Sequence, residues 1–109
     1  MSSDFRRLTV AEVAKKRAEG WRPWVLDVRA PAEALIVKFP WADRLIPHTE
    51  VAARLVEIPK DREILVHCKL GGRSAMACAV LAQAGYNAVN LEGGIVGWAK
   101  EIDPSMPTY

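Results

Sequence analysis

Short apolar runs alternate along this chain with stretches of helical character. Three runs have the length and composition of buried strands, namely residues 24–28, 63–67 and 88–91. Four stretches have helical patterns, namely residues 9–19, 49–58, 74–84 and 95–101. Strands that alternate with helices favour a parallel sheet covered by helices on both faces. We therefore expect an α/β three-layer sandwich whose central, mostly parallel sheet has about five strands.

Capping residues mark the ends of the first two predicted helices. Thr9 is a good N-cap, Glu12 stands at the capping-box position, and Gly20 is a good terminator. The second helix is expected to begin at Thr49 and to stop before Pro59. Its inward face is expected to consist of Val51, Ala52, Leu55 and Ile58.

Two segments have no pattern typical of regular structure. One is the long stretch 31–47, where Phe39 and Trp41 either line a pocket or partner surface or simply pack inside, and both alternatives are open. The other is the tail 103–109, where two prolines oppose helix and strand. We predict irregular structure for both.

Size and charge limit the classes of function. A chain of 109 residues fits one domain, expected over 1–109 with a core at about 8–102. The formal net charge of +2 with scattered basic residues argues against nucleic-acid binding by general electrostatics. No run approaches the roughly 20 apolar residues that span a bilayer, and no signal-peptide run is present. We expect a cytoplasmic protein without a membrane partner.

The segment after the second predicted strand carries the candidate chemistry. Cys68 begins a loop, Gly71 and Gly72 lie within it, Arg73 ends it, and a helix is expected from Ser74. The glycines let successive N–H groups point at one spot, and the helix N-terminus adds further free N–H groups. Ligands of parallel sheets bind beyond this carboxyl edge of the strands. We expect the sulfur of Cys68 to be held there as an anion, with a lowered pKa.

Other reactive residue types are expected to be structural. Cys78 lies in a buried helix, too far from Cys68 for a disulfide, and no C-x-x-C pair indicates a metal site. His67 ends a buried strand and is expected in the core, whereas His48 is expected at the surface. Trp98 is expected to pack in the core or against the tail.

Asp27 and Arg29 follow the first predicted strand. We interpret them as residues that support the loop of the candidate site rather than contact a substrate. Glu33 is the candidate partner of the Arg29 guanidinium.

Three segments, in this order and spacing, resemble the rhodanese family. They are Val25–Arg29 followed by Glu33, His67–Ser74, and Leu91–Gly94 followed by Trp98. The resemblance covers roughly residues 8–109. Segment 36–47 departs from the commoner Gly-His-Ile-Pro-Gly-Ala pattern, which only residues 45–47 resemble. That departure and the ending of the chain are similar to rhodanese domains fused to the adenylating enzymes of molybdopterin and thiamine biosynthesis.

The resemblance implies a rhodanese-like fold and a thiosulfate sulfurtransferase activity without a cofactor. Cys68 would be the nucleophile that carries a sulfur atom as a persulfide, with a substrate-binding loop of Lys69, Leu70, Gly71, Gly72, Arg73 and Ser74. The donor would be thiosulfate or a persulfide, and the acceptor a thiol, cyanide or a sulfur-carrier protein. Whether Arg73 contacts substrate or points back to stabilise the loop stays open.

Two other functions are alternatives to a thiosulfate sulfurtransferase. Phosphatase and arsenate reductase loops resemble this one but carry one more residue between cysteine and arginine, so the resemblance favours sulfur transfer for the segment Cys68–Arg73. A sulfur-carrier or relay module that acts only with protein partners is the second alternative, and it stays open.

Overall fold

Five strands form the central sheet of the computed structural model, which describes residues 4–109. The strands are β1 (Arg6–Thr9), β2 (Trp24–Asp27), β3 (Arg44–Leu45), β4 (Glu63–His67) and β5 (Asn87–Glu92). The α-helices are α1 (Val10–Ala18), α2 (Pro31–Ile36), α3 (Gly72–Gln83) and α4 (Gly94–Glu101). The first three residues of the predicted domain lie outside the described residues.

All neighbouring strands of the sheet run parallel, in the order β1-β5-β4-β2-β3. β4 lies at the centre, with Asp27 of β2 paired to His67 on one side and Asn90 of β5 paired to Val66 on the other. The predicted α/β fold with a parallel sheet of about five strands is therefore confirmed. The carboxyl ends of β2, β4 and β5 meet at one edge, directly before Cys68.

Alternate residues of the strands face two separate apolar layers. One layer packs α3 and the segment 48–58 on the sheet, and its strand residues are Leu26, Ile64, Val66 and Ala88. The other packs α1 and α4 against the opposite face, and its strand residues are Val25, Leu65, Val89 and Leu91. Burial on both faces explains why the strands read as nearly continuous apolar runs. Within residues 4–109, no helix is both long and apolar enough to cross a membrane.

The prediction of an α-helix at 49–58 is wrong. This segment forms two short 3₁₀ helices, His48–Ala53 and Leu55–Glu57, and Thr49 does not cap either of them. Only Val51 and Ile58 are buried, whereas Ala52, expected to face inward, is exposed. Apolar residues at these two positions do not form the continuous stripe that an amphipathic α-helix needs, so tighter turns follow the surface instead.

The prediction of irregular structure for 31–47 is also wrong, because this stretch contains α2 and β3. The edge strand β1 was not predicted. α2 has Pro31 at its first turn and Glu33 accepting from the Ala30 N–H (2.9 Å), but it buries no residue and so has no apolar stripe. β3 has two residues, and the arginines of β1 are exposed. Such short, polar edge elements are typical of edges that avoid further pairing.

The loop after β4 is bound by the N-terminus of α4. Ile95 N–H donates to the Cys68 carbonyl (3.0 Å) and Val96 N–H to the Lys69 carbonyl (3.2 Å). This approach requires Gly94, which has a φ of +63° and where an added Cβ would overlap the Lys69 carbonyl. Helix α3 begins at Gly72, two residues earlier than predicted, with Gly71 in the left-handed region (φ +111°) as its N-cap.

Gly94→Ala should therefore be much more damaging than an ordinary left-handed glycine replacement. We expect a loss of about 3 kcal/mol or more in the free energy of unfolding, because backbone strain and steric overlap combine. Gly20→Ala is the matched control, since Gly20 has a φ of +103° but nothing lies within 4 Å of its added Cβ. Urea denaturation followed by circular dichroism measures both, and equal losses would contradict the close approach at Gly94.

Candidate active site

Cys68 is the first residue after the central strand β4, and its sulfur faces the N-terminus of α3. The N–H groups of Gly71 (3.1 Å) and Ser74 (3.4 Å) donate to Sγ, and the Ser74 Oγ lies 3.3 Å from it. Two of the N–H groups that the sequence analysis directed at this sulfur are thus in place. Cys68 is only 1% exposed, so reaction at Sγ requires movement of the side chains at the rim of the loop.

Two opposing effects set the pKa of the Cys68 thiol. Burial raises this pKa, because the thiolate loses its hydration. Hydrogen bonds from the Ser74 side chain, and from the backbone N–H groups of Ser74, Gly71 and Leu70, lower it. The hydrogen bonds outweigh burial, and the pKa of Cys68 is lowered from its ordinary value. The loop therefore favours the nucleophilic thiolate.

A buried asparagine holds the loop in shape. Asn90 of β5 donates from Nδ2 to the Gly71 carbonyl (3.2 Å), which also accepts from the Ala75 N–H (3.1 Å). The Ser74 hydroxyl is 3.2 Å from the same carbonyl, but its single proton is donated to the Cys68 sulfur when that group is a thiolate. The two N–H donors fix the orientation of the Gly71–Gly72 peptide. Asn90 was not among the predicted site residues, although a polar residue inside an apolar strand is a signal that it has a specific partner.

Arg73 is paired with Glu33 of α2 rather than directed at the sulfur. Its guanidinium makes a bidentate ion pair, with distances of 2.7 and 2.9 Å. Glu33 also accepts from the Ala30 N–H and the Tyr109 hydroxyl, and the Arg73 hydrogen bonds hold the pKa of the Glu33 carboxyl well below its usual range. Of the two predicted roles for Arg73, substrate contact or stabilisation of the loop, this geometry fits stabilisation of the loop.

Arg29 forms a second, fully buried ion pair with Asp27. Its Nε and Nη2 donate to the two Asp27 oxygens (2.9 and 2.8 Å), and Nη2 also donates to the Val37 carbonyl (2.8 Å). The expected pairing of Arg29 with the Glu33 carboxylate is wrong, because Arg29 reaches only the main-chain carbonyl of Glu33. The Asp27 carboxylate is closer in sequence and completes a planar, two-point contact.

His67 directly precedes Cys68 and is a core residue, as predicted. It is fully buried, neither ring nitrogen has a hydrogen-bond partner, and Nε2 is 4.0 Å from the Asp27 carboxylate. Burial is the main cause that lowers the pKa of His67 to about 4. The imidazole is therefore neutral at pH 7.

The aromatic residues around His67 pack with one another. Phe39 stacks on Trp41 with ring centroids 4.1 Å apart, and both rings contact Trp98 edge to face at 5.4 Å. Trp98 is in the core, as predicted, and for Phe39 the structure shows the packing alternative.

Cys78 is a buried core residue whose thiol pKa is raised by burial, and both cysteines are free.

Lys69 and Leu70 form the outer part of the loop. Leu70 is 65% exposed, and Lys69 is half-buried with its ammonium 4.6 Å from the centre of the Tyr109 ring. Among the ion pairs of residues 4–109, none involves Lys69. Lys69 is thus the loop cation whose charge no carboxylate neutralises.

A cavity of about 220 Å³ lies away from the loop, beside Asp27 and residues 34–45, and no loop residue lines it.

A cysteine whose sulfur accepts backbone N–H groups at the carboxyl edge of a five-stranded parallel sheet is the feature that characterises this α/β domain. The sequence model of the rhodanese-like domain matches residues 9–101, and the chain belongs to the rhodanese-like domain family. The crystal structure of a rhodanese-related protein from Thermoplasma volcanium has the same fold, with a TM-score of 0.80 and 32% identity, covering 90% of this chain and 94% of that one.

Several relatives, among them the following two, carry sulfurtransferase in their names. A sulfurtransferase of Allochromatium vinosum is 46% identical over 77 residues, which cover 70% of this chain and 71% of the relative. The probable adenylyltransferase/sulfurtransferase MoeZ of Mycobacterium tuberculosis is 43% identical over 88 residues, which cover 78% of this chain but only 22% of MoeZ. The predicted similarity to rhodanese domains fused to adenylating enzymes is confirmed. The chain spans about a fifth of the length of that relative.

Ser74→Ala should raise the pKa of Cys68, because it removes the hydroxyl that donates to the thiolate. We expect alkylation of Cys68 by iodoacetamide at pH 7 to slow by roughly tenfold, the equivalent of one hydrogen bond to a charged group. The pH dependence of the alkylation rate should move to higher pH. Ser105→Ala is the control, since that hydroxyl bonds only Asp103 in the tail. An unchanged profile would contradict the role assigned to the hydroxyl.

The lowered pKa of His67 predicts that the free energy of unfolding falls in acid over a specific pH range. Its pKa is about 4 when folded and 6.5 as an ordinary group, so the unfolded chain binds the proton more readily and stability falls as pH drops from 6.5 towards 4. Between about pH 7.5 and pH 5 the loss should be roughly 2 kcal/mol. His67→Phe should remove this slope, whatever its absolute stability, and His48→Asn should keep it. Chemical denaturation at each pH measures the slope, and a slope retained in His67→Phe would be contrary evidence.

Proposed function

We propose that this protein is a sulfurtransferase in which Cys68 carries the transferred sulfur as a persulfide. The donor is thiosulfate or a persulfide of another molecule. The observation that carries the proposal is the set of donors on Sγ, two backbone N–H groups and the Ser74 hydroxyl, which stabilise the thiolate. The relatives named as sulfurtransferases support sulfur transfer in general. Lys69, the next residue of the loop, supplies a positive charge that no carboxylate neutralises and that attracts an anionic donor.

The first step charges the cysteine. The Cys68 thiolate attacks the outer, sulfane sulfur of thiosulfate, and a new S–S bond forms. The bond between that sulfur and the sulfonate sulfur breaks, and sulfite leaves with the bonding electron pair. The product is a Cys68 persulfide anion, whose charge the N–H groups of the loop stabilise.

The second step discharges the persulfide. A nucleophilic acceptor attacks the outer sulfur, the S–S bond to Sγ breaks, and the Cys68 thiolate is regenerated. Cyanide then leaves as thiocyanate, a thiol becomes a persulfide, and a sulfur-carrier protein takes the sulfur in the same way through a cysteine thiolate of its own. Two easier displacements replace one direct transfer, which is the general advantage of covalent catalysis.

The ion pairs around the loop have a supporting function in this scheme. The Arg73–Glu33 pair ties the loop to α2, and Arg29, bound by Asp27, also donates to the Val37 carbonyl after α2. Asn90 fixes the Gly71–Gly72 peptide from β5. A loop held from α2 and β5 keeps its donors oriented while charge moves from Sγ to the outer sulfur, so little reorganisation is needed during the reaction.

Intact mass spectrometry tests the proposal directly. Incubation with thiosulfate should increase the mass by one sulfur atom, about 32 Da, and cyanide or a thiol should remove it. Cys68→Ser should form no adduct and should not produce thiocyanate. Cys78→Ala is the matched control and should retain both, because that thiol is buried with a raised pKa.

Three outcomes would contradict the proposal or narrow it. Turnover by Cys68→Ser would overturn the persulfide mechanism. Hydrolysis of an aryl phosphate without any sulfur adduct would instead favour a phosphatase. An adduct that forms with a protein persulfide donor, but with thiosulfate only far above millimolar concentration, would identify the sulfur-carrier alternative.

A further inference from the structure

The irregular tail after α4 returns to the Cys68 site. Asp103 N–H donates to the Trp98 carbonyl (3.0 Å), which turns the chain back after the helix. Met106 and Tyr109 then pack against the apolar layer that contains Trp98. The tail has no regular structure, as predicted, but these contacts give its last residue a defined position beside the loop.

Tyr109 contacts three charged residues of the site at once. Its hydroxyl donates to Glu33 Oε1 (2.8 Å) and accepts from Arg29 Nη1 (3.0 Å). Its ring centre lies 4.6 Å from the Lys69 ammonium, within the range of a cation–π interaction. One side chain therefore links both ion pairs of the site to the free cation of the loop.

Lys69 contacts this ring and forms no ion pair among residues 4–109. The two arginines beside the site are neutralised by carboxylates, whereas no ion pair of residues 4–109 includes Lys69. A lysine side chain has many rotamers, and ordering it without a partner is unfavourable. An aromatic face attracts the ammonium without neutralising its charge, so the cation stays available to an incoming anion.

We propose that Tyr109 is a positioning residue of the Cys68 site: its ring holds the Lys69 ammonium at the mouth of the loop and so gives Cys68 its preference for negatively charged sulfur donors. This inference rests on the proposed function for the identity of the donor. The positioning itself concerns the charge of any reagent that reaches the Cys68 sulfur, and it is measurable without sulfur transfer.

The test compares two alkylating reagents that differ in charge. Cys68 is labelled with anionic iodoacetate and with neutral iodoacetamide, labelling is followed by mass spectrometry of the peptide that contains it, and the ratio of the two rates is taken. The thiolate fraction affects both rates equally and cancels. Tyr109→Leu should lower the ratio about two- to fivefold, the size of an exposed cation–π interaction.

Further variants separate positioning from a structural role. Tyr109→Phe keeps the ring and should keep the ratio. Lys69→Met should lower it, and the Lys69→Met, Tyr109→Leu double variant should lower it no further than Lys69→Met alone. Tyr86→Leu is the matched control. The Tyr86 ring also faces a lysine, since the Lys60 ammonium lies 5.3 Å from its centre, but neither residue belongs to the loop. Circular dichroism at the labelling temperature verifies that each variant is folded.

Two results would overturn the proposal. One is an unchanged ratio in Tyr109→Leu while Lys69→Met lowers it, which would mean that Lys69 acts without the ring. The other is a ratio in Tyr109→Phe as low as in Tyr109→Leu, which would assign the effect to the hydroxyl. A wild-type protein without turnover of thiosulfate or a persulfide would overturn the proposed function alone, because the labelling ratio does not require it. With turnover present, Tyr109→Leu should raise the KM for thiosulfate and retain kcat.

Discussion

The site depends on a single loop that lies between the N-termini of two helices. Helix α4 donates its first free N–H groups to the carbonyls of Cys68 and Lys69, while the N–H groups at the start of α3 donate to the Cys68 sulfur. Because its carbonyls are bound on one side, the loop can direct its N–H groups to the other. Gly94 permits this close approach, so one residue of α4 controls the geometry around a sulfur that it does not contact.

The charges around the loop are arranged so that few of them are free. Glu33 and Asp27 neutralise the two neighbouring guanidinium groups, and His67 directly before the nucleophile is neutral. The thiolate is therefore stabilised mainly by oriented dipoles rather than by a full positive charge in contact. Such donors do not need to reorganise when the charge moves during a reaction. Lys69 remains as the loop cation that no carboxylate among residues 4–109 neutralises.

The central fold was predictable from sequence because its signals are local. The Thr9–Glu12 capping box and the apolar runs of β2, β4 and β5 each depend on residues close in the chain, and all are present. The peripheral elements were missed because α2 buries nothing and β3 has two residues, so neither produces an apolar period.

The site was predictable only in part, for the same reason. The cysteine, the glycines and the following helix are contiguous, so their convergence on the sulfur follows from sequence alone. The partners that fix this loop are distant: Arg73 and Glu33 are 40 residues apart, and Tyr109 and Glu33 are 76 apart. No spacing rule pairs an arginine with one of several carboxylates at such separations. The sequence therefore predicts the candidate sulfur but not the residues that hold its loop.

The depth of the sulfur decides which chemistry the loop suits. Cys68 is almost fully buried, and its Sγ accepts two backbone N–H bonds, so the loop itself occupies the space around the sulfur. A persulfide moves the negative charge outward by only one S–S bond, about 2 Å. In the proposed transfer, this short displacement leaves the charge close to the N–H donors of the loop, while Lys69 on the Tyr109 ring remains the loop cation without a carboxylate partner. A loop that stabilises charge by oriented dipoles therefore fits the proposed persulfide, in which the charge moves one atom along a covalent bond.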